Sequence, residues 1–257
     1  MLEANASEIL ARIKDSDRVL DIGGWYIPFT RADWVVDLMP YATRGQAGHD
    51  GPLPERFDER TWVQMDVCSS QPLPFEDNFF DFVICSHTLE DIRDPVRVCS
   101  EINRVGKAGY IETPSSQVEL TFGIESKQYA GYYHHRWLVE MGAARITFMH
   151  KPHFVHGSWR YHLPKRASRS LTSAQRVTWM FWNDNFHFEE AVEIEKSEVE
   201  RRVQGKVRDY GVYPGWRYGL VPIEDFLARG RNKLGRATRS LLAWRRPAAS
   251  GRAPSRR

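Results

Sequence analysis

Three acidic residues recur at the ends of short apolar runs. Asp21 lies in Val19-Leu-Asp-Ile22 directly before Gly23-Gly24, Asp37 closes Trp34-Val-Val-Asp37, and Asp66 closes Trp62-Val-Gln-Met-Asp66. Glycines after a strand let the backbone approach a ligand and take up positive φ. A carboxylate at one strand end can accept hydrogen bonds from both hydroxyls of a ribose. A carboxylate at the next can accept one from the exocyclic amine of adenine. Taken singly, a Gly-Gly pair is a turn and a strand-end Asp is a cap or a solvated loop residue. Three such acids in succession point to a bound nucleoside.

The elements that must position these residues follow from periodicity. Residues 18–22, 34–37, 62–66, 79–86 and 109–112 are short apolar runs, each too short for a helix, and they read as buried strands. Residues 6–15 carry apolar side chains at helical spacing, with Ser7 as a candidate cap. Asp94-Pro95 reads as an N-cap with proline at the first helical position, followed by Val96, Cys99, Ile102 and Val105 at helical spacing. Residues 40–60, rich in Gly and Pro, read as a loop. The order predicts an α/β fold: a doubly wound, mostly parallel, Rossmann-like sheet with an elaborated C-terminal half. In that second half, 144–149 and 186–194 are strand-like and 197–209 is an exposed helix, while tryptophans and tyrosines crowd 129–182.

Histidine is the commonest proton acceptor near neutral pH. His87, just past the fourth run, and His134 and His135, beyond the fifth, are the candidate bases. The ordinary alternative for His134 and His135 is two polar residues beside Trp137. Glu112 could bind a hydroxyl or an amine, or simply cap a turn. His150, His153 and His156 form H-x-x-H-x-x-H, but Pro152 breaks any helix there and a spacing of three alternates faces on a strand. No metal site is therefore expected.

The string VLDIGG…VVD…QMDV…PLPFEDNFFDFVICSHTLEDIRDP…EINRV, over residues 18–115, resembles the class I S-adenosylmethionine-dependent methyltransferases. It is most similar to their small-molecule branch, and 72–95 is the most specific stretch. The resemblance implies that Asp21, Gly23 and Gly24 face the amino-acid end of S-adenosylmethionine. Asp37 would hold the ribose with Leu38 beside the adenine, and Asp66 and Val67 would frame the adenine. Ser86 and His87 would line the pocket near the sulfonium. Two departures stand out. The family's G-x-G-x-G is replaced by Gly23-Gly24-Trp25-Tyr26-Ile27-Pro28, and its Leu-Glu-His by Leu89-Glu90-Asp91. About ten residues separate Gly23 from the second strand, too few for a full crossover helix.

Composition sets the remaining bounds. The 257 residues are 42% apolar and 27% charged, which suits a globular chain. Cys68, Cys85 and Cys99 form no C-x-x-C pair, which fits a reducing, cytoplasmic setting. Residues 229–257 hold ten Lys and Arg and no acid, so the rest of the chain is acidic despite the net charge of +3. We expect a cofactor-binding core over 1–115, sheet completion and substrate binding over 116–228, and a partly disordered basic tail over 229–257. Leu227, Leu234, Leu241 and Trp244 suit a solvated tail or a peripheral contact with anionic lipid, and nucleic acid is not an expected partner. The expected activity is methyl transfer to a small molecule, a sugar or glycolipid precursor. The alternatives are a non-catalytic binding module on the same fold, and a nicotinamide-dependent oxidoreductase. The last would need G-x-G-x-x-G after the first strand, and the chain lacks it. Oligomeric state is not legible.

Overall fold

The apolar runs become neighbouring strands of one sheet. In the computed structural model, which describes residues 1–215 and 217, the strands are β1 (Val19–Ile22), β2 (Trp34–Asp37), β3 (Trp62–Gln64), β4 (Phe82–Ser86), β5 (Ala108–Pro114), β6 (Trp137–Gly142), β7 (Arg145–His150), β8 (Val177–Asn183) and β9 (His187–Glu190). The central sheet has the order β3-β2-β1-β4-β5-β8. Its first five strands are parallel, and β8 runs antiparallel to β5 from Ala108–Asn183 to Pro114–Val177. The strand order reverses between β1 and β4, and the crevice beyond the carboxyl ends of those two strands is where an open α/β sheet binds its ligand.

Side-chain alternation builds two cores. Leu20, Ile22, Val36, Val83, Cys85 and Ile111 point to one face, where α2 (Pro95–Val105) lays down Val98, Cys99, Ile102 and Val105. Val19, Val35, Phe82, Ile84 and Tyr110 point to the other, covered by Ile9 of α1 (Glu3–Arg12). Fully burying one such side chain stabilises the fold by about 1.5–3 kcal/mol. Helices on both faces of a mostly parallel sheet make this a Rossmann-like α/β fold. α2 begins as its sequence requires: the Asp94 side chain accepts from Arg97 N at 3.0 Å, with Pro95 at the first turn. α1 begins at Glu3, earlier than its periodicity suggests. Leu2 is its N-cap without a side-chain bond, and Ser7 lies inside the helix.

No helix links β1 to β2. Residues 25–30 instead form turns and bends tied to 45–56: Gly45 N donates to Trp25 O (2.8 Å), Thr30 N to Asp50 O (2.8 Å), Asp50 N to Pro28 O (3.0 Å) and Arg56 N to Thr30 O (2.8 Å). Phe29 and Phe57 fill the core face that a crossover helix would otherwise cover.

The second half departs most from expectation. β6 and β8 were not legible, and the strand expected at 186–194 is only β9. β6, β7 and β9 form a separate three-stranded sheet whose Trp137, Val139, Ile146 and Phe148 pack into the α2-side core. The short α3 (Ser116–Glu119) follows β5, and α4 (Lys196–Asp209) lies one residue from the expected 197–209. Met1–Tyr210 form one compact unit. The basic tail at 229–257 and the leucine series from Leu227 to Trp244 lie outside the described residues. Among the described residues no helix is long and apolar enough to cross a membrane.

The turn after β1 gives a direct test. Gly23 has φ +81°, and a Cβ there would fall 1.9 Å from Thr88 Oγ1. Gly23→Ala is expected to lower the unfolding free energy by roughly 1–3 kcal/mol in urea titration. An unchanged midpoint would contradict this close approach.

Candidate cofactor and acceptor site

The loops after β1, β2 and β4 meet at the crevice. Gly23 N donates to Val36 O at 2.9 Å, tying the turn to β2. Gly24 has no room for a side chain, because a Cβ would fall 2.3 Å from Asp21 Oδ2. Asp21 itself is buried and turned inward, where Oδ2 accepts from Phe29 N at 2.9 Å. Burial lifts its pKa to about 7 against the partial relief of that hydrogen bond. The structure thus places Asp21 as the anchor of the strap that replaces the missing helix.

Asp37 lies at the lip of the crevice. Its Oδ2 accepts from Trp25 N (3.0 Å) and its Oδ1 from Met39 N (2.8 Å). Burial raises its pKa, opposed by these backbone donors. Each carboxylate oxygen has two lone pairs, so one on each remains for a diol. Beside it Leu38 is 63% and Met39 36% exposed, an apolar surface suited to a flat base. The surrounding backbone is pinned, since Trp62 Nε1 donates to Met39 O (2.9 Å) and Gln64 Nε2 to Leu38 O (3.1 Å).

Asp66 lies two residues past β3 and is already engaged. Oδ1 accepts from Cys68 N (2.8 Å), Oδ2 pairs with Arg93 at 2.8 Å, and Arg93 also donates to Cys68 O (2.6 Å). Burial opposes ionisation there, but the Cys68 amide and Arg93 outweigh it and lower the pKa. Val67 is half-buried beside it.

Beyond β4 and β5 stands a second constellation. His87, at φ 54°, has Nε2 3.1 Å from Glu112 Oε1 and Nδ1 3.6 Å from Glu90 Oε1. Glu112 has no solvent exposure. It accepts from the Tyr110 hydroxyl in a very short bond, from Leu2 N (3.1 Å), and more distantly from Ser86 Oγ (3.5 Å). Asn5 Nδ2 donates to the Tyr110 hydroxyl at 2.6 Å, extending the chain into α1. Burial pulls the His87 pKa down, but the hydrogen bond to Glu112 and the nearby charge of Glu90 outweigh it and carry it up to about 9. Burial pushes Glu112 up, yet His87, Tyr110 and the Leu2 amide bring it down to about 2.

His134 and His135 belong to other groupings. His135 Nδ1 lies 2.8 Å from Oε1 of the buried Glu119, whose Oε2 takes Lys151 Nζ at 2.6 Å, and Lys151 also donates to Tyr132 O at 2.9 Å. Burial opposes the Glu119 charge, but His135 and Lys151 lower its pKa. His134 is more exposed, 3.8 Å from Glu125. Sequence reasoning missed Glu90, Glu119, Lys151 and Tyr110 as parts of a polar network. The only signal was an acid inside an otherwise apolar stretch, Val118-Glu-Leu-Thr-Phe122. Among the described residues, no group of three or more His, Cys, Asp or Glu could hold a metal ion.

Residues 35–111 match the family model of a methyltransferase domain. The match covers 77 of the 257 residues, from β2 into β5. Among solved structures, the chain is similar to an S-adenosylmethionine-dependent methyltransferase from Mesorhizobium loti (16% identity, 59% of this chain and 66% of that one, TM-score 0.33). It is similar also to one from Aquifex aeolicus (16%, 45% and 67%, TM-score 0.31) and to the [4+2]-cyclase SpnF (18%, 44% and 45%, TM-score 0.31). The alignments to the first solved structures it matches span about half of their length. Likeness at this level speaks only to the fold. No curated protein matches the chain.

Two outcomes follow from the buried pairs. The His87 imidazole is expected to titrate near pH 9 by NMR, against an ordinary 6.5. A raised histidine pKa gives stability that is present in full below 6.5 and lost as pH rises through about 9. Titration at or below 6.5 would contradict the pair with Glu112. Lys151→Met strands the Glu119 carboxylate and is expected to cost about 3–5 kcal/mol of stability by chemical denaturation. A loss below about 1 kcal/mol would contradict that network.

Proposed function

We propose that the protein is an S-adenosylmethionine-dependent methyltransferase acting on a small-molecule acceptor. The observation that carries this reading is the meeting at one crevice of the Gly23 turn, the Asp37 carboxylate with its apolar neighbours, and the His87–Glu112 pair. The residues fit the cofactor by donor chemistry. Asp37 offers two free lone pairs to a diol, Leu38 and Met39 offer an apolar face to an adenine, and Gly23 and Gly24 leave backbone alone beside the amino-acid end. Ser86 and His87 stand at the end of β4, where the reading places the sulfonium.

S-adenosylmethionine supplies an electrophilic methyl group on a positively charged sulfur. The protein's task is to orient an acceptor in line with it, exclude water and take up a proton where the acceptor is a hydroxyl. His87 is the proton acceptor in this reading. Glu112 holds its ring, and a neighbouring sulfonium charge would favour its neutral form. His135, held on Glu119, and His134 line the acceptor side. A sugar or glycolipid precursor is the proposed acceptor. Tyr129 packs against Tyr133 and His156, Tyr132 against His134 and His135, and Tyr133 against His134, and aromatic faces suit sugar rings. A cytoplasmic location belongs to the same proposal, supported by three buried free cysteines.

A second reading is a non-catalytic binding module. It is favoured by Asp66, whose oxygens are taken by Arg93 and Cys68, and by the strap in place of a helix.

Transfer of label from S-adenosylmethionine to an acceptor separates the two readings, and titration calorimetry with S-adenosylhomocysteine tests the cofactor site they share. The wild type is expected to bind it, and Asp37→Ala to bind at least about tenfold more weakly, a loss of about 1.4 kcal/mol. No binding by the wild type would overturn the reading. With His87 as proton acceptor, turnover is expected to rise with pH toward about 9. A rate that is flat from pH 6.5 upward would remove His87 from that role.

A further inference from the structure

Three carboxylates with almost no solvent exposure lie on or beyond β4 and β5: Glu112 within β5, Glu90 after β4 and Glu119 after β5. Two of them are matched. Glu112 holds His87, the Tyr110 hydroxyl and the Leu2 amide, while Glu119 holds Lys151 and His135. Glu90 is different. Its residue is 1% exposed, and neither side-chain oxygen has a hydrogen-bond partner among the described residues. The nearest cation is His87, whose Nδ1 lies 3.6 Å from Oε1, too far for a hydrogen bond, and whose Nε2 is already committed to Glu112.

Glu90 is not a loose surface residue that could relax. Its carbonyl accepts from Arg136 N (2.7 Å) and Trp137 N (3.1 Å), which ties it to the start of β6. Its carboxylate is therefore held beneath the half-exposed His87 ring. It also contributes to the environment of the Tyr132 hydroxyl, along with Glu119. A buried carboxylate without donors costs several kcal/mol. Such groups persist where a ligand supplies the missing partner, and the apo protein carries the cost.

On the methyltransferase reading, we propose that Glu90 is an acceptor-positioning carboxylate and that the acceptor carries an ammonium group which completes it. A hydroxyl would satisfy one lone pair. An ammonium supplies up to three donors and a charge within hydrogen-bond reach, which His87 at 3.6 Å does not. The ammonium need not be the methylated atom; it fixes the acceptor beside His87.

The test uses the full chain loaded with S-adenosylhomocysteine and two matched probes, glucosamine and glucose, with affinity read by NMR titration. The wild type is expected to prefer glucosamine by roughly tenfold or more. Glu90→Gln is expected to bring the two sugars within about twofold, with unchanged S-adenosylhomocysteine affinity and a Tm at or above the wild type. A purely structural Glu90 would instead give a lower Tm in the variant. Equal binding of the two sugars, no binding of either, a preference kept by Glu90→Gln, or a lower Tm in that variant would each overturn the proposal. Failure of the wild type to bind S-adenosylhomocysteine would refute the methyltransferase reading instead, and the sugar preference of the unloaded protein would then decide this one.

Discussion

The solvent-free Glu112 carboxylate is the interaction on which the site depends. It lies on the central strand β5, and its donors come from three directions: His87 from the loop after β4, Tyr110 from its own strand, and the Leu2 amide at the start of α1. A buried charge is tolerated only when its lone pairs are satisfied. The position of α1, the left-handed turn at His87 and the ring orientation of His87 are therefore coupled. Removing any donor would leave Glu112 under-satisfied at the point where the sheet opens toward ligand.

A second constraint comes from chain length. The segment from Gly23 to Trp34 cannot hold a crossover helix and return, so it winds through turns and borrows hydrogen bonds from 45–56. Asp21 anchors it through Phe29 N, and Asp37 caps it through Trp25 N. The carboxylate proposed to hold the ribose thus also fixes the loop beside the ribose. Because Asp21 is raised to about 7 from 3.8, the fold gives up stability as pH climbs through that interval.

Much of this was legible in the sequence. The five parallel strands and α2 declared themselves because a strand buried on both faces reads as an unbroken apolar run, and because Asp94-Pro95 is a start signal with a mechanism. The short β1–β2 connection announced a missing helix by counting alone. β6 and β8 did not declare themselves. Neither WLVEMG nor VTWMFWN alternates cleanly, and both lie in a region crowded with tryptophan and tyrosine, so period gives no contrast. The site was legible where it lies at strand ends, as with Asp37 and His87. It was illegible where it depends on pairing: nothing in the sequence joins Glu119 to Lys151 thirty-two residues away, or separates the matched Glu112 from the unmatched Glu90. Nor does spacing reveal that Asp21 faces inward or that Arg93 occupies Asp66.

A crystal structure with S-adenosylhomocysteine bound tests the central claim most directly. The account requires both ribose hydroxyls on Asp37, the adenine against Leu38 and Met39, and the sulfur between the Gly23 turn and His87. A nucleoside bound elsewhere, or an Asp37 that keeps only the amides of Trp25 and Met39 while the ligand sits away from β2, would contradict it.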